Sequence, residues 1–309
     1  MTSHSAASLP LFPATPTRFA LARLGVIRLT GIERVKYLQG QVTCDVQALS
    51  AGQHSLGAHC DAKGKVWCIF RLLVLDDALL LLTEQSLLPR TLTELKKYGV
   101  FAKVEIQDAS AEYQLIGVAG SGSDAWMQQH HGVSDTAPLT AGMAVRLDAD
   151  RWLLLSQATL ASELPEQPES DWWGLEMLAG LPHLNAEHQG EFIPQMLNLQ
   201  ALGGICFTKG CYMGQETVAR AKYRGANHRG LFILQGRASQ PLQVTDALEI
   251  ALGEQWKRSG QILDLWQRDE QVLLTAVLPL DTEPEARFRC KDQPDSALQL
   301  RPLPYSLEE

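Results

Sequence analysis

VWCIFRLLVLDDALLLLT, residues 66–83, decides the fold class. Two apolar runs, Val66 to Leu75 and Ala78 to Thr83, flank Asp76-Asp77, a connection long enough for a hairpin and far too short for a parallel crossover. Asp61-Ala62-Lys63-Gly64 marks a second hairpin turn just upstream. Leu24 to Leu29 reads as a strand. Thr30 and Glu33 after it have capping-box spacing, opening a helix whose apolar face is Ile32, Val35 and Leu38 and whose end is Gly40. Downstream, a helix over Leu87 to Tyr98 stops at Gly99, and Phe101 to Ile106 returns as a strand.

The order then repeats loosely: a strand (Tyr113 to Ala119), a helix (Asp124 to His131), two strands about Asp148-Ala149-Asp150, a Pro- and Glu-rich link (Ser162 to Ser170), and a helix from Asp171. Short units joined by hairpins predict an α+β fold, not a doubly wound parallel sheet. After Arg229 the character changes. Leu231 to Leu234, Leu248 to Leu252, Gln261 to Trp266, Gln271 to Leu278 and Leu298 to Leu300 are short apolar stretches split by turn residues, which predicts a small antiparallel β-barrel or sandwich beginning near residue 228.

At 309 residues the chain has length for about two domains. With 45% apolar and 20% charged residues it is neither disordered nor low in complexity. The longest uninterrupted apolar runs, Val66 to Phe70 and Ala78 to Leu82, are five residues each, where a spanning helix needs about 20. Residues 1–17 contain no Lys or Arg and are broken by Pro10, Pro13 and Pro16, which predicts a flexible tail and no signal peptide. Six cysteines without a C-x-x-C pair suit a reducing cytoplasm, and no membrane partner is expected.

Chemistry concentrates in NLQALGGICFTKGCYMGQETVARAKYRGANHRG, residues 198–230. Gly203, Gly204, Gly210 and Gly214 punctuate it, and Gln215 to Tyr223 has helical character, stopped by Gly225. Cys211 therefore lies in a loop ahead of a helix N-terminus, two residues from Lys209, a setting that favours thiolate. A buried, inert thiol is the other reading, and local sequence leaves both open. Cys44, Cys60, Cys68 and Cys290 sit in strand-like surroundings and read as inert. Cys206 and Cys211 have C-x4-C spacing, but position 214 is Gly where a plant-type cluster needs a further Cys. His183 and His188 complete no zinc pattern, so no metal is expected. Gly120-Ser121-Gly122 lacks the rest of a dinucleotide fingerprint.

The formal charge is −8, yet Lys209, Arg220, Lys222, Arg224 and Arg229 face a single acid, Glu216, within one window. That window carries +4 and leaves −12 for the remainder. Such a patch suits a polyanionic tail or a phosphate backbone, tRNA included, or else pairs with acids of a neighbouring domain. Trp172-Trp173 point about 100° apart on a helix, so that one can pack while the other faces a flat ligand; burial of both in the core is the plainer reading.

KGCYMGQETVARAKYRG, Lys209 to Gly225, resembles the K-G-C-Y-x-G-Q-E signature of the YgfZ family of folate-binding proteins. EFIPQMLNLQALGGICF (Glu191 to Phe207), YLQGQVTCDV (Tyr37 to Val46), AHCDAKGKVW (Ala58 to Trp67), TELKKYGVFAKV (Thr93 to Val104) and the final PLPYSLEE resemble it too, so the likeness spans nearly the whole chain, least in 105–170. The family is related to the glycine-cleavage T protein, a tetrahydrofolate-dependent aminomethyltransferase. The resemblance implies two intertwined α+β lobes and a β-barrel about a folate channel: a tail over 1–17, lobes over 18–112 and 113–227, and the barrel over 228–309. It implies tetrahydrofolate as ligand, with Trp172 stacking it and Trp173, Gln195 and Tyr212 beside it. Cys211 corresponds to the signature cysteine, within the motif residues Lys209, Gly210, Gly214, Gln215 and Glu216 and the basic Arg220, Lys222 and Arg224. It also implies a part in making or repairing iron–sulfur clusters, with cluster-assembly proteins or cluster-dependent tRNA-thiolating enzymes as partners, and a link to replication initiation. Two departures stand out. Leu24 occupies a position where relatives carry an aromatic, and Val66-Trp67-Cys68-Ile69 lacks the acidic pair of the T protein, which counts against aminomethyl transfer. Direct tRNA binding and one-carbon transfer remain the alternatives.

Overall fold

The computed structural model describes residues 9, 11–158, 160, 163–225 and 227–307. The elements run β1 (Thr17–Ala20), β2 (Leu24–Thr30), α1 (Arg34–Gln39), β3 (His54–Cys60), β4 (Val66–Val74), β5 (Leu79–Glu84), α2 (Leu88–Gly99), β6 (Glu105–Asp108), β7 (Gln114–Ala119), α3 (Ser123–His131), β8 (Ala137–Leu139), β9 (Gly142–Asp148), β10 (Arg151–Ser156), α4 (Glu169–Leu178) and α5 (Gln215–Tyr223). Six further strands follow: β11 (Arg229–Arg237), β12 (Ala247–Leu252), β13 (Gln255–Arg268), β14 (Gln271–Pro279), β15 (Arg287–Cys290) and β16 (Gln293–Arg301).

The chain forms two compact units, one of residues 1–22 and 112–175, the other of 23–111 and 176–309. The smaller is built on an antiparallel sheet ordered β1-β7-β10-β9-β8. Its first strand comes from the N-terminus: Phe19 pairs with Gly117 across β1 and β7. The expected flexible tail is corrected here. Leu11 is buried and the Ser121 amide donates to the Pro13 carbonyl at 3.2 Å, so the chain before β1 packs on its own unit; residues 1–8 and 10 lie outside the described residues. The expected first lobe likewise begins at Arg23, not residue 18, because β1 is lent to the other unit.

The larger unit holds an antiparallel sheet ordered β3-β4-β5-β2-β6 and a closed barrel ordered β11-β14-β13-β12-β15-β16. Strands β4 and β5 are interior and almost wholly buried, which is why, apart from Arg71, Val66 to Val74 and Leu79 to Leu82 are apolar on both faces where a half-exposed strand would alternate. Helix α2 turns Leu88, Thr91, Leu95 and Gly99 inward at helical spacing. Sheet and barrel share one core that includes Leu29, Phe70 and Leu81 with Leu231, Leu263 and Val277. Asn198 joins them: its side-chain amide donates to the Leu231 carbonyl at 2.9 Å and its oxygen accepts the Leu231 amide at 3.0 Å.

Three local expectations shift. The helix after β2 starts at Arg34, because the Glu33 carboxylate accepts the Lys103 amide at 2.8 Å instead of closing a capping box. The strand expected from Phe101 begins at Glu105, and β15 was not foreseen.

Candidate functional site

The loop from Gly203 to Gly214 is stitched to residues 40–45. The Cys206 amide donates to the Thr43 carbonyl at 2.9 Å, the Thr43 hydroxyl to the Gly204 carbonyl at 2.6 Å, and the Met213 amide to the Gly40 carbonyl at 3.1 Å. Gly214 caps α5 at φ +80° and presses on the turn of the β3–β4 hairpin; a Cβ there would lie 2.5 Å from the Asp61 carbonyl oxygen and 2.7 Å from Gly64 Cα. Only glycine permits both this backbone and this approach. Three separated stretches, Tyr37 to Val46, Asp61 to Lys65 and Lys209 to Thr217, thus meet in one place.

Cys211 is exposed on this loop, Cys206 is half-buried, and the other four thiols are buried. Burial pushes Cys44 up to about 12 and Cys68 and Cys290 up to about 11. Burial would also raise Cys206, but hydrogen bonds from the Thr208 hydroxyl, at 3.5 Å, and the Thr208 and Lys209 amides outweigh it and draw that thiol below its usual value. Lys209 is not a free neighbour of Cys211. Its ammonium donates to the Val42 and Cys44 carbonyls at 2.8 and 2.6 Å and lies 5.1 Å from the ring of Tyr212, which is buried.

The basic window is similarly committed. Arg220 pairs with Glu216 at 2.5 Å, Lys222 stands 4.1 Å from the Phe207 ring, and Arg229 donates to the Ser259 and Val277 carbonyls. Arg224, Gly210 and Glu216 are exposed and Gln215 is partly so. Gln195 is buried and donates to the Val218 carbonyl at 2.6 Å, pinning the 3-10 turn Pro194–Leu197 to α5. In the smaller unit, Trp172 and Trp173 are both buried. Trp172 packs 5.7 Å from the Phe19 ring and against Gly117, and the Trp173 indole donates to Glu169 at 3.2 Å. Stacking on Trp172 therefore requires this packing to open.

The larger unit also contains a buried charge cluster that sequence reasoning missed. Arg23 donates to Glu84 at 2.7 Å and to Asp264 at 3.2 Å. His183 stands between Glu84, at 3.5 Å, and Glu176, at 3.6 Å. Burial alone would discharge His183, but the facing carboxylates outweigh it and push it up to about 9. Asp264 Oδ2 is buried with no hydrogen-bond partner among the described residues, as are both ring nitrogens of His188. The His188 ring lies 6.0 Å from Phe192, which lines a cavity of about 470 Å³ with Lys65, Glu191, Met196, Arg229 and Arg258. Cluster and cavity share strand β13, which carries Asp264 in the one and Arg258 and Gln261 in the other. The available signal was a single acid inside an apolar run, as in Gln261 to Trp266 around Asp264. Among the described residues no group of three His, Cys, Asp or Glu is placed to hold a metal, and no helix is long and apolar enough to cross a membrane.

Over 95% of its length the chain is 43% identical to the tRNA-modifying protein YgfZ of Yersinia pestis (strain Pestoides F), covering 93% of that protein. The chain belongs to the YgfZ family. The YgfZ protein of Yersinia pseudotuberculosis serotype O:3 matches to the same extent, and the family's β-barrel domain (YgfZ, beta-barrel domain) matches residues 227–293. In fold the chain resembles the glycine cleavage system aminomethyltransferase T of Bartonella henselae, with a TM-score of 0.69 at 14% identity over 95% of this chain and 87% of that one. The YgfZ-family chain thus has a T-protein-like α+β fold closed by a six-stranded antiparallel barrel.

Proposed function

We propose that this YgfZ-family chain is a tetrahydrofolate-binding accessory protein that acts on tRNA modification by sustaining cluster-dependent thiolating enzymes, with Cys211 as its functional thiol. The observation that carries the reading is the buried, unpartnered Asp264 oxygen on the strand whose earlier residues line the cation-lined cavity. A pterin presents an amino group and a ring N–H on one edge, donors that match the unpartnered Asp264 Oδ2 and the neighbouring Glu84 carboxylate. A buried acceptor without a donor is costly, so a ligand supplying one gains affinity. Folate's glutamate carboxylates are anions, and Lys65 and Arg258 offer matching cations around an apolar floor of Phe192 and Met196. The fold likeness to an aminomethyltransferase supports the same ligand.

Bound tetrahydrofolate would supply a one-carbon or reducing centre. Around it, Arg23 and His183 hold Glu84 in place, and Lys65 and Arg258 steer the anionic end. Aminomethyl transfer is disfavoured, because β4 opens Val66-Trp67-Cys68-Ile69 with the Cys68 thiol fully buried and no carboxylate among them. Direct tRNA docking on the Lys209–Arg229 window is disfavoured by the internal commitments of Lys209 and Arg229.

Titration with tetrahydrofolate followed by tryptophan fluorescence tests the ligand: a saturable change is expected, and a flat trace ends the reading. Expression of Cys211→Ser in a strain lacking the family member tests the thiol: thiolated tRNA stays low if Cys211 acts as proposed, and full restoration removes it.

A further inference from the structure

Cys206 has no part in the function proposed above, yet it shares one short loop with Cys211. Its amide is anchored to the Thr43 carbonyl, while Met213, seven residues on, is anchored to the Gly40 carbonyl. Residues 40 and 43 are at most about 11 Å apart, less than the reach of the seven-residue span between the anchors, so that span is bent. Both thiols ride on that turn, one half-buried and one exposed, and the remaining four are buried. Next to Cys211, a Cβ at Gly210 would meet nothing within 4 Å, so no neighbouring element packs on the chain there.

We infer that Cys206 is the resolving thiol of Cys211, so that the two form a dithiol–disulfide centre reacting with small-molecule disulfides of the glutathione type. In the first step the Cys211 thiolate attacks one sulfur of the disulfide; a bond forms between Cys211 and that sulfur, and the other half leaves as a thiolate that takes up a proton. In the second, the Cys206 thiolate attacks Cys211 Sγ, the intramolecular disulfide forms, and the second half leaves as a thiol. Two protein thiols are oxidised by two electrons and one disulfide is reduced to two thiols. The Thr208 hydroxyl and the Thr208 and Lys209 amides around Cys206 Sγ favour its thiolate, the species the second step needs. Cys44, the buried rival on the anchoring segment, is held protonated by burial.

The inference rests on Cys211 being the functional thiol, and one experiment separates the two. The full-length protein is incubated with glutathione disulfide, alkylated and mapped by peptide mass spectrometry. Wild type is expected to carry a Cys206–Cys211 disulfide with little lasting glutathione, and Cys206→Ser to accumulate the glutathione adduct on Cys211 at least tenfold. An equal, lasting adduct on Cys211 in wild type and Cys206→Ser overturns the pair and leaves the Cys211 reading intact. Pairing of Cys206 with Cys44 also overturns it. A Cys211 that forms no adduct in either protein overturns both.

Discussion

His183 is the most exacting test of the buried cluster. Its imidazole lies 3.5 Å from Glu84 and 3.6 Å from Glu176, is inaccessible to water on most of its surface, and is pushed up to about 9. In the unfolded chain a histidine titrates near 6.5. A shift of roughly 2.5 units at about 1.4 kcal/mol each corresponds to about 3–4 kcal/mol of stabilisation of the folded state. Because the folded value is the higher one, this contribution is fully present below about pH 6.5 and is lost as pH rises through about 9. Histidine-selective NMR, with the resonance assigned through His183→Gln, should give a midpoint well above 7 in wild type. Glu176→Gln and Glu84→Gln should each lower it, since each removes one facing carboxylate. Denaturant midpoints of wild type and His183→Gln should converge as pH is raised from 6.5 to 9.5. A midpoint at or below 6.5, or parallel stability profiles, would refute the charged cluster.

Replacing Trp172 by alanine removes a fully buried indole packed on Phe19 and Gly117 and should cost about 3–5 kcal/mol, seen as a marked fall in the thermal midpoint; a change below about 1 kcal/mol would mean the indole is not core. Gly214→Ala forces a left-handed residue and a 2.5 Å approach to the Asp61 carbonyl, and should destabilise by at least about 1–2 kcal/mol on thermal unfolding, whereas an unchanged midpoint would mean the two turns do not meet as described. Native alkylation should label Cys211 and Cys206, while Cys44, Cys60, Cys68 and Cys290 react only after denaturation; fast labelling of any of those four would contradict their burial.

The hairpin at Asp76-Asp77 is readable because its strands are central and, apart from Arg71, apolar on both faces, and α5 is readable from its flanking glycines. The capping box at Thr30 failed for a tertiary reason. Gly31, at φ +99°, presses on the Lys103 carbonyl, and Glu33 is taken by the Lys103 amide, so the helix opens a turn late. The lending of β1 to the second sheet was invisible because pairing between Phe19 and Gly117 spans nearly a hundred residues. The candidate site divides the same way. Cys211 and its loop are contiguous, so their spacing speaks. Glu84 and Asp264 lie 61 and 241 residues beyond Arg23, and only sheet and barrel pairing brings the three together.

Calorimetric titration of tetrahydrofolate into wild type, Asp264→Asn and Glu84→Gln tests the central claim most directly. Wild type should bind one equivalent, and each variant should lose at least tenfold in affinity, since a charge-assisted hydrogen bond contributes about 1.5–3 kcal/mol and about 1.4 kcal/mol is a factor of ten. No heat of binding to wild type, or equal affinity in all three proteins, would contradict the account.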